Sequence, residues 1–117
     1  MGGSMYKNPR ILDLAQVVLV VGLVFSVFLS STAKEHVVEM TEHKFVPNKI
    51  TIKRGDSIKF VNKSNNFHNV VVEKLKIRTK LIKKGDFLVI KPDQTGKFDY
   101  YCQPHRSMGM TGEITIE

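Results

Sequence analysis

From residue 36 onward, apolar side chains recur at every second position rather than every third or fourth, a spacing that predicts strands. Residues 36–40 make the first expected strand, and Pro47 with Asn48 turns the chain. Residues 49–53 set Ile50 and Ile52 on one face. Arg54, Gly55 and Asp56 form the next turn, and residues 57–62 alternate again with Ile58 and Phe60 aligned. Ser64, Asn65 and Asn66 read as a polar loop. Residues 69–73 carry Val70, Val71 and Val72 in succession, the composition of a strand buried on both faces. Residues 75–81 alternate through Leu75, Ile77, Thr79 and Leu81. Gly85 and Asp86 turn into a strand at 87–90. Residues 92–96 turn into an aromatic strand at 97–102, and residues 112–117 form the last. Short strands with turn signals roughly every 8–12 residues predict an all-β sandwich or barrel. No long amphipathic helix is expected after residue 33.

A different pattern precedes the strands. Residues 14–29 hold no charge, follow Lys7 and Arg10, and lead into Ser31, Thr32 and Ala33. A charged start, a short apolar run and a small-residue exit describe a secretory signal cleaved near Ala33. The run falls short of the ~20 residues that span a bilayer, but Ile11 and Leu12 extend it, so a retained membrane anchor is the alternative. Residues 1–4 read as an appended tag before a native Met5. Gly2 does not make a myristoylation site, because Tyr6 stands where the motif needs Ser or Thr. The expected organisation is a hydrophobic helix acting as signal peptide or anchor over residues 1–33, then one folded domain over 34–117.

Composition adds two constraints. The net charge is +7, mostly lysine, yet no Lys/Arg block or aromatic repeat suggests nucleic-acid binding. The positive charge is either a solvated surface or a means of steering towards an acidic partner. The chain also has a single cysteine, Cys102. In an oxidising compartment it is free, pairs with another chain or binds a ligand. So small a domain lacks the usual covalent staple, and a metal could supply one.

Residues 101–112 read Tyr-Cys-Gln-Pro-His-Arg-Ser-Met-Gly-Met-Thr-Gly. Cys102, His105 and Met110, spaced C-x2-H-x4-M, bring a thiolate, an imidazole and a thioether into one loop between two expected strands. Such soft donors favour copper, and a trigonal His2Cys set with a weak axial Met is the blue-copper arrangement. The second histidine is best supplied by His68, which precedes Asn69 and the valine run. Taken singly these residues have plainer roles: His68 as a strand-end histidine, Cys102 as an inert buried thiol, Met110 as core. Their joint spacing is what points to copper. Zinc is the rival metal, but structural zinc recruits paired cysteines that this chain lacks. A dinuclear copper centre needs two cysteines in the loop. His36 and His43 are expected at the surface, and Met40 in the core.

These motifs resemble the small blue copper proteins, the cupredoxins, of the plastocyanin, pseudoazurin and amicyanin families. The residues carrying the resemblance are His68-Asn69-Val70-Val71, Tyr101-Cys102-Gln103-Pro104-His105 and Met108-Gly109-Met110, with the segment from Phe45 to Asp56 similar to the early strands. The resemblance implies a Greek-key sandwich of about 7–8 strands. It also implies one copper ion bound by His68, Cys102, His105 and Met110. Amicyanin-type spacing would choose Met108 instead, while the longer loop favours Met110. It further implies that the Asn69 N–H donates to the Cys102 sulfur and that the Asn69 side chain ties the two ligand loops together. Pro104, which has no N–H, withholds one donor from that sulfur. His105 would be the electron's exit, collared by Pro104, Met108 and Phe67. The function implied is one-electron transport outside the cytoplasm by a monomer that is not an enzyme. Copper storage or delivery is the alternative, and the two histidines outside the site are too few for a multicopper oxidase. Expected partners are redox proteins with an acidic docking face, such as a c-type cytochrome or a terminal reductase, met through lysines such as Lys44, Lys49, Lys74 and Lys76. Membrane contact is expected only if residues 1–33 are retained.

Overall fold

The computed structural model describes residues 32–117. The expected leader or anchor, the tag and the apolar run therefore lie outside the described residues, apart from exposed residues 32 and 33. Nine strands follow in chain order: β1 (Glu35–Met40), β2 (Phe45–Val46), β3 (Lys49–Ile52), β4 (Ser57–Asn62), β5 (Val71–Val72), β6 (Ile77–Arg78), β7 (Phe87–Ile90), β8 (Gly96–Tyr101) and β9 (Thr111–Ile116). Six of the expected strands, β1, β3, β4, β7, β8 and β9, appear within one residue of where the alternation puts them. The count exceeds the expected 7–8 because three of the nine are two-residue pairings.

Two sheets stack face to face, ordered β2-β1-β4-β7 and β3-β9-β8-β5-β6. Most pairs are antiparallel, but β1 lies parallel to β4 and β3 parallel to β9. Each parallel pair joins strands separated in sequence by an excursion through the other sheet, so a hairpin could not make it. Alternation decides what meets inside. In β4, Ile58, Phe60 and Asn62 point inward while Ser57, Lys59 and Val61 face outward. Register sets Val38 beside Phe60 and Ile58 beside Ile90, and in the opposite sheet Phe98 beside Ile114. Phe45, Phe60 and Tyr100 fill the centre as an edge-on aromatic cluster with centroids 4.6–5.9 Å apart. Such pairs add stability beyond the area they bury.

Two expected strands are much reduced. The valine run is buried throughout, as expected, but only Val71 and Val72 pair. Val70 instead donates its N–H to Thr79 Oγ1 at 2.8 Å and accepts the Thr79 N–H at 3.0 Å. The chain then turns through a 3-10 segment at Glu73–Leu75, ended by Lys76 at φ 56°. The alternation over 75–81 survives as strand only at Ile77–Arg78. Beyond the Thr79 linkage the inward position falls on Ile82, which is buried, while Leu81 stays 52% exposed. Backbone pairing of Ile82 with His68, at 2.8 and 3.1 Å, then anchors the loop between β4 and β5.

Asp56 closes the far end. It accepts the N–H groups of Lys34 at 2.9 Å and Lys53 at 3.0 Å, and its Oδ2 meets His36 Nε2 at 2.9 Å. His36 is thus half-buried and paired rather than simply a surface residue. The bond to His36, then those to Lys34 and Lys53, hold the Asp56 carboxyl down from 3.8 to about 2. Folding therefore favours the ionised form. That stabilisation is complete above about pH 4 and fades as pH falls from there towards 2. Asp56→Asn should unfold at lower urea than the parent at pH 7, with the gap narrowing as pH drops from 4 to 2. A gap that is constant with pH would mean that Asp56 is not the source.

Gly112 faces Tyr100 across the β8–β9 pair, and a Cβ there would strike the Tyr100 ring. Gly112→Ala should therefore cost about 1–3 kcal/mol by overpacking. For a domain this size that is a thermal midpoint lowered by about 4–8 °C per kcal/mol. An unchanged midpoint would show that the ring has room to move.

Candidate metal centre

The site forms at one end of the sandwich, where two loops meet. Cys102 follows β8 directly, and the chain continues through a 3-10 turn at Gln103–Met108 before Met110 leads into β9. Pro104 suits the start of that turn, since its fixed φ fits and its missing N–H has no partner to lose. Gly109 at φ 82° ends the turn, a conformation that glycine adopts without penalty. Backbone bonds then close the loop on itself: Cys102 N–H to Met110 O at 3.1 Å, His105 N–H to Cys102 O at 3.2 Å and Met110 N–H to His105 O at 3.2 Å. The sequence marks this segment as a loop. Its winding follows from those bonds and was not legible in the side-chain pattern.

His68 arrives from the second loop and is fully buried. Its Nδ1 lies 3.5 Å from Cys102 Sγ and 3.1 Å from His105 Nδ1, and His105 Nδ1 lies 3.5 Å from the same sulfur. The three atoms form a nearly regular triangle, and a point in its plane lies about 2 Å from each. Metal–imidazole and metal–thiolate bonds run about 2.0–2.3 Å for an ion such as zinc, so the triangle is the size of a first-row metal. Among the described residues it is the cluster of His, Cys and acidic donors close enough to share an ion. Met110 is fully buried and packs in the same core cluster as Cys102, whereas Met108 is 61% exposed.

Electrostatics keep these donors uncharged in the metal-free protein. Burial pushes the Cys102 thiol up, against the pull of the Asn69 and His105 N–H groups directed at it. Burial lowers His68, and the neighbouring His105 lowers it further. His105 is lowered by burial and by nearby His43. Both imidazoles are thus neutral at pH 7, with lone pairs available. A metal that takes the thiolate must displace the thiol proton.

The surrounding shell joins the two loops. Asn69 Oδ1 accepts the Gln103 N–H at 2.8 Å, and Asn69 Nδ2 donates to Thr79 O at 3.4 Å. Three features here escaped the alternation pattern. Ser64, read only as polar loop, is buried with its hydroxyl 2.7 Å from His68 Nε2. Asn62, an inward position of β4, binds Ser64 N–H, Asn66 O and Ile82 O. Exposed His43 lies with its ring 5.2 Å from that of His105, so it is a surface residue beside the site. A serine four residues before a suspected ligand is the one sequence signal that could have pointed to Ser64.

Around the half-buried His105, Pro104 is exposed and Phe67 is 59% exposed. Lys44, Lys49, Lys74 and Lys76 are all exposed. Lys74 lines a polar cleft with Glu73, Asp99, Tyr101 and Arg106. There Arg106 stacks 4.0 Å from the Tyr101 ring, and Tyr101 donates to Glu73 at 2.7 Å.

The likeness to known proteins agrees with this donor set. Residues 32–117 match the family model of copper binding proteins, the plastocyanin/azurin family. The chain is 32% identical to plastocyanin of Prochlorothrix hollandica, with 89% of each covered. It is 33% identical to the chloroplastic plastocyanin of Chlamydomonas reinhardtii, matching 63% of this chain and spanning 59% of that protein. Among solved structures it superposes on amicyanin from Paracoccus versutus with a TM-score of 0.65 and 26% identity, over 76% of this chain and 87% of that one. A sandwich whose loops bring a cysteine and two histidines to within a metal's reach, matched over nearly all the described residues, places this chain in the plastocyanin/azurin family of copper-binding proteins.

Proposed function

We propose that the chain is a one-electron carrier that works outside the cytoplasm, with one copper ion held by His68, Cys102, His105 and Met110. The observation that carries this reading is the triangle of His68 Nδ1, His105 Nδ1 and Cys102 Sγ with sides of 3.1–3.5 Å. Bound copper supplies a couple between Cu(I) and Cu(II), and the soft Cys and Met donors suit the reduced ion as the imidazoles suit both. The chain's task is to keep that donor set fixed in both states. Cys102 and His105 ride on a loop closed by its own backbone bonds, and His68 rides on one paired to Ile82. Little need move when an electron passes. Burial of Met110 and exposure of Met108 favour Met110 as the fourth ligand.

His105 provides the path out, because Cys102 and His68 are sealed from solvent while His105 reaches the surface. Pro104, Phe67 and Met108 give that exit an apolar rim, suited to brief encounters over a small area. The net charge of +7 favours partners with acidic faces, such as c-type cytochromes or a terminal reductase, and speeds their approach. The chain acts as a monomer. Export rests on the charged start and apolar run of residues 1–33, with membrane attachment only where that segment is retained.

Copper-loaded, oxidised protein should show an intense visible thiolate-to-Cu(II) band, and Cys102→Ala should remove it. A colourless oxidised protein would favour copper storage over electron transfer. Cys102→Ala should also forfeit the copper-linked stability, about 2.7 kcal/mol with the ion at a hundredfold over its Kd, read by urea unfolding with and without copper.

Met110→Gln should keep copper and lower the reduction potential, since a harder oxygen donor favours Cu(II). Met108→Gln should leave the potential unchanged. The opposite result in voltammetry would make Met108 the axial ligand.

A further inference from the structure

We propose that Ser64 is the positioning residue for His68: its hydroxyl oxygen accepts the Nε2–H, fixes the ring as the Nε2–H tautomer and leaves Nδ1 bare towards Cys102 and His105. The proposal rests on the reading of His68 as a copper ligand. An imidazole ligates through a nitrogen without a proton, and which nitrogen that is depends on the bond the other one makes. The backbone pairing of His68 with Ile82 fixes the Cα position but not the ring's rotation or its proton. A side-chain contact that does so lies at the ring's far edge, where Nε2 is 2.7 Å from Ser64 Oγ, and the Thr41 carbonyl also faces the ring.

Hydrogen accounting gives the direction of that bond. A serine hydroxyl has one proton to donate and two lone pairs to accept with. Asn66 O, which can only accept, lies 3.2 Å from Oγ and offers the Ser64 proton a partner. The Asn66 N–H takes one lone pair of Oγ at 3.0 Å. With the Ser64 proton on Asn66 O, the remaining lone pair faces Nε2, which then carries the ring's proton. The reverse arrangement, with Ser64 donating to Nε2, would put a proton on Nδ1 and aim it at the point shared with Cys102 Sγ and His105 Nδ1. Metal binding would then first have to strip that proton.

The loop holds Ser64 in place for this. Asn62, fully buried, accepts the Ser64 N–H at 2.9 Å and donates to Asn66 O at 2.8 Å and Ile82 O at 2.9 Å. One asparagine thus ties the serine, the residue that orients its hydroxyl and the strand segment paired to His68. Ser64 and His68 are both screened from solvent, so water does not compete for the bond. The hydroxyl also makes Nδ1 a better donor, because an accepted Nε2–H raises the basicity of the other nitrogen.

The test reads the ring itself and does not depend on copper chemistry. Long-range 1H–15N correlations of His68 in copper-free protein at about pH 8, above the ordinary imidazole pKa of about 6.5, should show the Nε2–H tautomer. Ser64→Ala should give a mixture of tautomers and a 10–100-fold weaker Cu(I) affinity. Ser64→Thr, which keeps the hydroxyl, should restore both. An Nδ1–H tautomer in the parent, or an unchanged tautomer or copper affinity in Ser64→Ala, overturns the proposal. If Ser64→Ala does not fold, the parent's tautomer and the Ser64→Thr variant decide. If the parent binds no copper, the reading of His68 as a ligand falls, and the ring correlations still decide the role of Ser64.

Discussion

The convergence of His68 on Cys102 and His105 is the constraint on which the rest of this structure turns. Three donors from two loops sit within 3.1–3.5 Å of one another, two of them sealed from solvent. Neutral donors packed this closely gain little from each other, and burying them forfeits their hydration. The sandwich must therefore hold them against their own tendency to separate. Backbone pairing of His68 with Ile82, the closed Cys102–Met110 loop and the Asn69–Gln103 bond do so. Each is made within or between loops, outside the named strands.

This explains why the second sheet departs from regular pairing where it approaches the site. A fully extended strand over residues 69–73 would commit the backbone of Val70 to a neighbouring strand. Instead the Val70 backbone binds the Thr79 hydroxyl and the Thr79 N–H, and the strand shortens to two residues. Asn69, just outside the shortened strand, reaches across to Gln103 with its side chain. In the first sheet β4 and β7 keep the lengths the alternation gives them. Regularity is lost at β5 and β6 and kept in β8 and β9, whose pairing runs up to Tyr101 and Thr111 on either side of the ligand loop.

The same division shows in the charges. At the far end Asp56 is held ionised by His36 and two N–H groups, where stability alone is served. At the copper end burial keeps the thiol and imidazoles neutral. Opposite protonation outcomes thus arise from opposite surroundings, donors clustered around a carboxylate in one case and desolvation in the other.

Much was legible in the sequence, because alternation, turn residues and ligand spacing are local. They sufficed for an all-β domain, for Ile58 and Phe60 sharing one face, and for Cys102 and His105 sharing one loop with Met110. His68 could be named only by its context, since nothing local says which histidine crosses to that loop. Only the tertiary structure decided the parallel β1–β4 and β3–β9 pairs, the shift of burial from Leu81 to Ile82, the nearness of His43 to His105, and the hydroxyl of Ser64 behind His68. Each depends on groups far apart in the chain or on a hydrogen bond whose direction a residue's identity does not encode. Periodicity reports which face a side chain takes, and only packing reports what it meets there.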